Sequence, residues 1–357
     1  MQALKRAIRR SPVFADTVGT GIGERTKLMA RPIKDQLVEA GKSEDAAISV
    51  ANAFVTAYAS KMDEPGRTSV LVYFSQEEVN TIVQALLDNW EAAVAAAKDG
   101  KSATELVKEI EKKTEGRTSA ADIALFGRML AEKPTLNIDA ACQVAHAIST
   151  HRVNMEMDFY TAVDDLQSRD EKEGAGAGMI GFTNFNSACF YRYTRIDWRQ
   201  LTQNLGWRDP KTTKGDPNQI AEANRDAVAT ARRAVEGYLR AVVDAIPTGK
   251  QNTFAAQNPT NLALALVRKD GKSWNLANAF EEPVRSRRDT GYIRPSIEAL
   301  DAYWGELCRR RDDASFEAVS VMTDMARHEQ ALDQLAPYHK ASMSAWVAAV
   351  LAALPAE

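Results

Sequence analysis

Apolar positions in the first third of the chain repeat with the period of a helix. In residues 46–62 (AAISVANAFVTAYASKM) they fall on one side of a helix that follows Ser43 and Asp45. Ser75 and Glu78 have the spacing of a capping box, in which each side chain bonds the other residue's backbone N–H, and they begin an Ala-rich helix. This part of the chain is therefore predicted to be mainly helical.

Two shorter features belong to the same region. TSVLVYF (68–74) is a β-type run. Ser102 and Glu105 repeat the capping-box spacing and begin a Lys/Glu-rich helix that ends at Gly116. Its mixed charges are typical of a solvated face, with a functional contact as the alternative. The lysines of this segment are Lys101, Lys108, Lys112 and Lys113.

From residue 122 onward the pattern changes to that of strands. DIALFGRM (122–129) and CQVAHAISTHRV (142–153) are rich in apolar and β-branched residues, and FNSACFYRYTRIDW (185–198) returns as a second strand. Between them lies the charged and glycine-rich stretch SRDEKEGAGAGMIGF (168–182). Strands on either side of a long flexible loop predict an extended β-hairpin.

The remaining elements suggest a fold class. Residues 217–245 form an amphipathic helix, NLALALV (261–267) is a strand, and helices are predicted at 296–311 and near 341–354. Without the helical region and the hairpin, the order is helix, strand, strand, helix, strand. One preceding strand would complete β-α-β-β-α-β, the ferredoxin-like order of RNA-recognition domains. The sequence thus predicts an α+β fold.

The chain begins on a short helix with one apolar and one cationic face. Ala3, Leu4, Ala7 and Ile8 share the apolar face, and Lys5, Arg6, Arg9 and Arg10 share the other. Guanidinium and ammonium groups arranged in this way suit phosphate oxygens, although a solvated helix face or an organelle presequence has the same pattern.

Composition limits what the rest of the chain does. With 357 residues, 45% apolar and 26% charged, it is long enough for two or three subdomains. A net charge of −3 argues against a protein that coats nucleic acid through its overall field, so any such contact must be local. Three separate cysteines without a CxxC suit a reducing cytoplasm and predict no metal site. No apolar run has the length of a membrane span.

Three other constellations could carry chemistry. GAGAGMIG (174–181) has neither Walker nor dinucleotide-binding spacing, and it is either a surface loop or a tip that wedges between bases or into a neighbouring subunit. Adjacent residues Asp164 and Asp165 would point to opposite faces of a strand, as would His146 and His151, so each pair is a poor metal site. Aromatic and basic residues alternate over 190–199, which fits base stacking or ordinary packing.

Eight short motifs occur in an order that is familiar. They are ALKRAIRRS, DIALFGRM, AHAISTH, FYTAVDDLQ, FYRYTRID, KQNTFAAQNP, LANAFEEPV and GYIRPSIEALDAYW. Together they resemble the CasC family, which supplies the backbone subunit of the type I-E CRISPR surveillance complex Cascade. The likeness runs from residue 2 to about residue 305, and the last fifty residues match poorly.

The resemblance implies an antiviral, non-catalytic, cytoplasmic prokaryotic protein with no cofactor. Copies would assemble head to tail along one CRISPR RNA into a right-handed helical filament, together with the capping, small, large and crRNA-processing subunits. The guide would pair with invading DNA while the protein reads backbone and shape. No membrane contact is expected.

The resemblance also implies an organisation into a ferredoxin-like, RRM-type palm, helical fingers and a thumb hairpin. The expected ranges are palm 1–18, fingers 19–141, palm strand 142–152, thumb 153–188, palm 189–300 and C-terminal helices 301–357. The family begins about forty residues earlier with a palm strand, and Met1 stands where a serine is expected. We therefore expect a misassigned start or a truncation that removes the first palm strand and leaves strand edges unpaired.

Site residues follow from the same motifs. The implied guide-phosphate contacts are Gln2, Lys5, Arg6 and Arg9; the implied base contacts are Met129 and Tyr160; the thumb tip carries Met179 and Ile180; and Lys250 and Asn252 lie in a loop before the last palm strand. The helix that carries Lys101, Lys108, Lys112 and Lys113 loosely resembles a segment of the fingers that attracts duplex DNA in the family. Two rival functions stay open: a guide-directed endoribonuclease that uses Asp164 or Asp165, and a generic single-stranded RNA chaperone.

Overall fold

The computed structural model describes residues 2–19, 21–99, 107–108, 117–162, 179–288 and 291–356 as a mixed helix and sheet fold. Its helices are α1 (Gln2–Arg9), α2 (Pro12–Val18), α3 (Ala30–Glu39), α4 (Glu44–Tyr58), α5 (Gln76–Asp88), α6 (Trp90–Asp99), α7 (Ala121–Phe126), α8 (Trp198–Asn204), α9 (Pro217–Asp244), α10 (Gln251–Phe254), α11 (Ile293–Arg310), α12 (Ala326–Glu329) and α13 (Met343–Ala352). Its strands are β1 (Glu24–Thr26), β2 (Met62–Glu64), β3 (Arg67–Thr68), β4 (Val72–Phe74), β5 (Cys142–Val144), β6 (Ile148–Ser149), β7 (Glu156–Ala162), β8 (Met179–Phe185), β9 (Phe190–Tyr191), β10 (Thr194–Ile196), β11 (Leu262–Val267) and β12 (Ala318–Thr323).

The helical region predicted for the first third of the chain is confirmed. Helices α3 to α6 pack around one apolar core. At the start of α5, Ser75 Oγ accepts the Glu78 N–H at 3.0 Å and the Glu78 carboxylate accepts the Ser75 N–H at 3.4 Å, which is the predicted capping box. The second capping box, at Ser102 and Glu105, lies outside the described residues.

The strand predicted at 122–129 is wrong, because residues 121–126 form helix α7. Five of its six side chains, among them Asp122, are buried, so burial in this segment does not follow a helical period. A short, fully buried run of this kind cannot be assigned from periodicity alone. Gly127 ends the helix at φ +77, where a Cβ would lie 2.8 Å from the Ile138 carbonyl oxygen.

The extended hairpin is confirmed. β7 and β8 pair antiparallel along their full length, from Glu156 opposite Phe185 to Ala162 opposite Met179. Nearer the body of the protein, β6 pairs with β9 and β5 with β10, so one long ribbon is interrupted twice.

The segment 301–357, for which C-terminal helices were expected, contains a strand in addition to its helices. Strand β12 pairs antiparallel with β11 over all six residues, and both pack against α11 around Trp304 and Val321. Its sequence, AVSVMT, is a short run that becomes a strand through pairing with a segment some fifty residues earlier, which no local pattern reveals. Across the described residues the sheets are all two-stranded, so the four-stranded sheet of a ferredoxin-like palm is not seen.

A buried ion pair joins the helical region to the loop after α7. The Arg128 guanidinium donates to both carboxylate oxygens of Glu78, at 2.9 and 2.8 Å, and also to the carbonyl oxygens of Tyr73 and Leu136. The Tyr58 hydroxyl donates to the same carboxylate at 2.7 Å. The two charged side chains are only 2% and 6% exposed, so each depends on the other for its charge balance.

We expect Arg128→Ala to lower the free energy of unfolding by about 3–5 kcal/mol, because it leaves the Glu78 carboxylate buried without its cation. Urea or thermal unfolding measures the change. Arg31→Ala, which removes an exposed pair with Asp35 on α3, is the control and should cost less than about 1 kcal/mol. Equal losses in the two variants would contradict the assignment.

Candidate nucleic-acid interface

Helix α1 is oriented by its apolar face. Leu4 and Ile8 are buried in a core shared with α2, α7 and α9. Because residues three and four apart share a helix face, burial of these two side chains turns the cationic side of α1 away from that core. Arg6 and Arg10 are exposed, and Lys5 is half-buried.

The cationic side of α1 forms one wall of a cleft of about 590 Å³. Residues 23–26, at and before β1, form the opposite wall, and Leu71, Tyr73 and Phe126 also line the space. The lining side chains include five cations and one acid, Glu24. The five cations are Lys5, Arg6, Arg9, Arg10 and Arg25. Such a concentration of donors with positive charge is the arrangement that binds phosphate.

Aromatic rings support several of these cations. The guanidinium carbons of Arg9 and Arg25 lie 5.0 and 4.9 Å from the centroid of the Tyr73 ring. The Lys5 ammonium lies 5.9 Å from the centroid of Phe126. Cation–π contacts at these distances orient the charges without neutralising them.

Arg9 differs from the other four cations because it is tied into the protein. Its guanidinium donates to the Gly23 carbonyl oxygen at 3.1 Å and lies 3.5 Å from the Asp122 carboxylate, and its side chain is only 12% exposed. Asp122 also accepts the Tyr73 hydroxyl at 2.5 Å and the Gly23 N–H at 2.9 Å. Burial raises the pKa of Asp122, while these hydrogen bonds and the Arg9 charge act in the opposite direction. Arg9 therefore holds the two walls of the cleft together.

Gly23 is required at this junction for space. A Cβ at residue 23 would lie 2.7 Å from the Tyr73 ring and 2.8 Å from the Ile123 side chain. Because residue 23 has no side chain, the chain just before β1 approaches α7 closely enough for the Gly23 N–H to donate to the Asp122 carboxylate.

The four remaining cations of the cleft, Lys5, Arg6, Arg10 and Arg25, make no ion pair with another described residue. Sequence reasoning placed Gln2, Lys5, Arg6 and Arg9 at this site, and all four line the cleft. It missed Arg25, Tyr73 and Phe126 as members of the site. Their position depends on pairing of β1 with β4 and on the helical form of α7, which only the tertiary structure supplies.

The hairpin formed by β7 and β8 presents two different faces. Directly opposed residues share a face, and successive residues alternate. One face carries Met157, Phe159, Ile180 and Phe182, which are 57–70% exposed, with the rings of Phe159 and Phe182 5.7 Å apart. An exposed apolar surface of this kind marks a contact site.

The other face of the hairpin carries Tyr160 and Met179 and is attached to the loop around α10. The Lys250 ammonium donates to the Thr183 hydroxyl at 3.1 Å. The ring centroids of Phe254 and Phe185 are 6.3 Å apart. Lys250 adopts φ +56, a left-handed conformation that is uncommon outside glycine. The neighbouring Asn252 is exposed.

Tyr160 and Gly181 form a cross-strand pair on this second face. A Cβ at residue 181 would lie 2.4 Å from the Tyr160 ring, so the ring lies directly over the glycine. Aromatic cover of a strand glycine stabilises a ribbon that has few other contacts.

The other predicted site residues are placed separately. Met129 is 84% exposed and follows the buried Arg128, whose hydrogen bonds fix the local backbone, but Met129 does not line the α1 cleft. Lys108 is exposed, whereas Lys101, Lys112, Lys113, Asp164 and Asp165 lie outside the described residues. Within the ranges that the structure describes, no group of three potential metal-ligating side chains occurs. No described helix is long and apolar enough to cross a membrane.

His151 lies at the root of the hairpin, where its ring is held by hydrogen bonds and by stacking. Its Nε2 accepts the Cys189 N–H at 3.1 Å, its Nδ1 donates to the Arg152 carbonyl oxygen at 2.9 Å, and its ring stacks on Tyr292 with centroids 3.8 Å apart. The preceding residue, Thr150, donates its N–H to the Cys189 carbonyl oxygen at 2.9 Å. These bonds join the two strands of the ribbon just below β7 and β8.

We expect His151→Ala to loosen the hairpin, because the Cys189 N–H and the Arg152 carbonyl oxygen each lose a hydrogen bond worth about 0.5–1.5 kcal/mol. Hydrogen–deuterium exchange should show faster exchange in residues 156–162 and 179–185 than in α9. His146→Ala is the control, since His146 is exposed and lies five residues earlier. Unchanged exchange in the hairpin of the His151 variant would remove its assigned role.

Two solved structures that contain this architecture are CRISPR surveillance complexes. A chain of a structure described as "CRISPR RNA-guided surveillance complex, pre-nicking" is 26% identical, with a TM-score of 0.74 over 99% of this chain and 89% of that one. A chain of a second structure, "CRISPR RNA-guided surveillance complex", is 22% identical, with a TM-score of 0.65 over 99% and 88%. No curated protein matches the sequence.

The family assignment rests on nearly the whole chain. The family model described as "CT1975-like protein" matches residues 1–349. The chain therefore belongs to the CT1975-like protein family, and its fold is that of subunits of CRISPR surveillance complexes.

Proposed function

We propose that this chain is a non-catalytic, CRISPR RNA-binding backbone subunit of a type I-E Cascade complex, equivalent to CasC. Copies bind side by side along one guide RNA in the prokaryotic cytoplasm, and the other Cascade subunits join the resulting filament. Guide segments between the protein contacts then pair with invading DNA. The α1 cleft carries this proposal, because it concentrates five cations in a chain whose net charge is −3.

The organisation into palm, fingers and thumb is part of the proposal. The helical core of α3 to α6 corresponds to the fingers and the β7–β8 hairpin to the thumb. The ribbon strands, α1, α9 and β11 would form the ferredoxin-like palm. Head-to-tail contact between copies is a heterologous interface, which generates an open helix when its rotation does not close.

The α1 cleft and the apolar face of the hairpin would contact different parts of the guide RNA. The α1 cleft binds the sugar-phosphate chain, whose charge is uniform and carries no sequence information. The apolar face of the hairpin contacts bases, as apolar wedges do when they unstack a nucleic acid. Asp164 and Asp165 are not described, and we propose no catalytic role for this chain.

Arg6→Glu combined with Arg10→Glu is expected to remove co-purifying RNA, because the two exposed cations of the α1 wall become anions. The ratio of absorbance at 260 and 280 nm and the length of extracted RNA measure the loss. Arg285→Glu with Arg327→Glu, two exposed arginines outside the cleft, is the charge-matched control. RNA of one defined length retained by the cleft variant would overturn the proposal.

Arg9→Ala separates phosphate binding from stability. Since Arg9 bridges Asp122 and Gly23, its loss should lower the melting temperature, whereas the Arg6 and Arg10 changes should leave it near that of the parent chain. Loss of RNA without a change in melting temperature identifies cations that contact the guide. A lower melting temperature identifies Arg9 as the cation that joins the two walls of the cleft.

Ile180→Ser with Phe182→Ser tests the hairpin face in RNA-loaded assemblies. We expect RNA to remain bound, because the phosphate contacts persist, but the regular spacing of unstacked bases should disappear. Guides with 2-aminopurine at successive positions report unstacking as periodic fluorescence. Ile48→Ser, at a 39% exposed position on α4, is the control. Periodicity that survives the hairpin changes would contradict the role of this face.

A further inference from the structure

The loop after α9 carries two residues in the left-handed region of backbone space. Lys250 begins the single-turn helix α10 at φ +56, and Ala255 ends it at φ +45. A side chain with a Cβ disfavours this region, which glycine adopts freely, so neither conformation is held by the residue's own preference. Such backbone outliers persist only where surrounding contacts fix them, and they gather at positions that serve a function.

Hydrogen bonds hold this loop in one conformation. The Thr260 hydroxyl donates to the Val243 carbonyl oxygen of α9 at 2.6 Å, so the loop returns to the helix that it leaves. Within the loop, the Ala255 N–H donates to the Gln251 carbonyl oxygen at 2.8 Å, and the Gln251 side-chain amide donates to the Pro247 carbonyl oxygen at 3.1 Å. The loop is therefore a platform anchored at both ends to α9.

Two side chains from this platform reach the hairpin. The Lys250 ammonium donates to the Thr183 hydroxyl and lies 5.8 Å from the centroid of the Phe254 ring, and that ring lies beside Phe185. Thr183 and Phe185 are two residues apart on β8 and share a face, so both contacts fall on one side of the hairpin. They leave the apolar face on the other side exposed.

We propose that residues 250–255 form a clamp that sets the orientation of the hairpin, with Lys250 and Phe254 as its positioning residues. The left-handed backbone at each end of α10 turns the chain, as it does where longer helices end. Glycine would adopt the turn at residue 250 at lower cost, so the lysine is explained by its ammonium, which the hydrogen bond to Thr183 uses. The inference rests on the proposed function in one respect, because the face that the clamp orients is the one proposed to contact bases.

The resemblance to the CasC family implies a guide contact for Lys250, and the two roles make different predictions. An ammonium that contacts a phosphate contributes about 1 to the slope of log K against log salt for RNA binding. An ammonium that holds Thr183 contributes nothing to that slope, but its loss should let the hairpin open more often.

Lys250→Met and Lys250→Gln separate the two roles. Methionine removes the donor, whereas glutamine keeps an N–H donor without the charge. In hydrogen–deuterium exchange of the RNA-free chain, we expect Lys250→Met to speed exchange of residues 179–185 about fivefold relative to α9, as loss of one hydrogen bond would, and Lys250→Gln to restore slower exchange. In titrations with labelled single-stranded RNA, both variants should keep the salt slope of the parent chain.

Ala255→Val and Ala255→Gly test the backbone of the clamp. A β-branched side chain disfavours φ +45, whereas glycine adopts it. We expect faster exchange of residues 179–185 in Ala255→Val and exchange like that of the parent in Ala255→Gly. Ala256→Val, the same change at the next residue, which is exposed and has no positive φ, is the control.

Unchanged exchange of the hairpin in Lys250→Met, or a salt slope that falls by about 1 in that variant, would overturn the inference. Equal exchange in the Ala255 and Ala256 valine variants would overturn it as well. The exchange is measured without RNA, so a chain that binds no guide would refute the proposed function while the exchange rates still decide whether the clamp exists.

Discussion

The carboxylate of Asp122 joins three separate parts of the chain at the α1 cleft. It is fully buried, and it accepts hydrogen bonds from Gly23 before β1, from Tyr73 on β4 and from Arg9 on α1. A buried carboxylate is costly unless it is bonded and paired, so these partners are held where they satisfy it. The same charge offsets part of the repulsion among the cations of the cleft, which a protein of net charge −3 concentrates in one place.

Much of the secondary structure could be predicted from the sequence because it is set locally. The capping box at Ser75, the amphipathic helix α9 and the ribbon around residues 142–198 each have a short-range pattern. Helix α7 and strand β12 could not be predicted in this way. The first is buried on all sides, and the second is specified by its pairing with β11, so tertiary contacts rather than periodicity determine both.

The candidate site also has features that the sequence predicts and features that depend on tertiary contacts. The cationic face of α1 is visible in the sequence because its spacing is helical, and the resemblance to a known family adds the residues of the hairpin. The distinct role of Arg9 is not visible, since a buried partner 113 residues away changes it from a free cation into a structural one. Arg25 is likewise an ordinary exposed arginine until the fold shows that it lines the α1 cleft.

The hairpin's stability links the fold to the proposed assembly. An isolated two-stranded ribbon is marginally stable in water, and β7 and β8 expose apolar side chains on their outer face. Within the described chain it is supported at its root, through His151 and Cys189, and along one face, through Lys250 and Phe254. The other face has no such support from its own chain's described residues, so an RNA base or a second copy that covers it would remove apolar surface from water and order the ribbon at the same time. Binding and ordering of the hairpin are therefore expected to be coupled in the assembly that we propose.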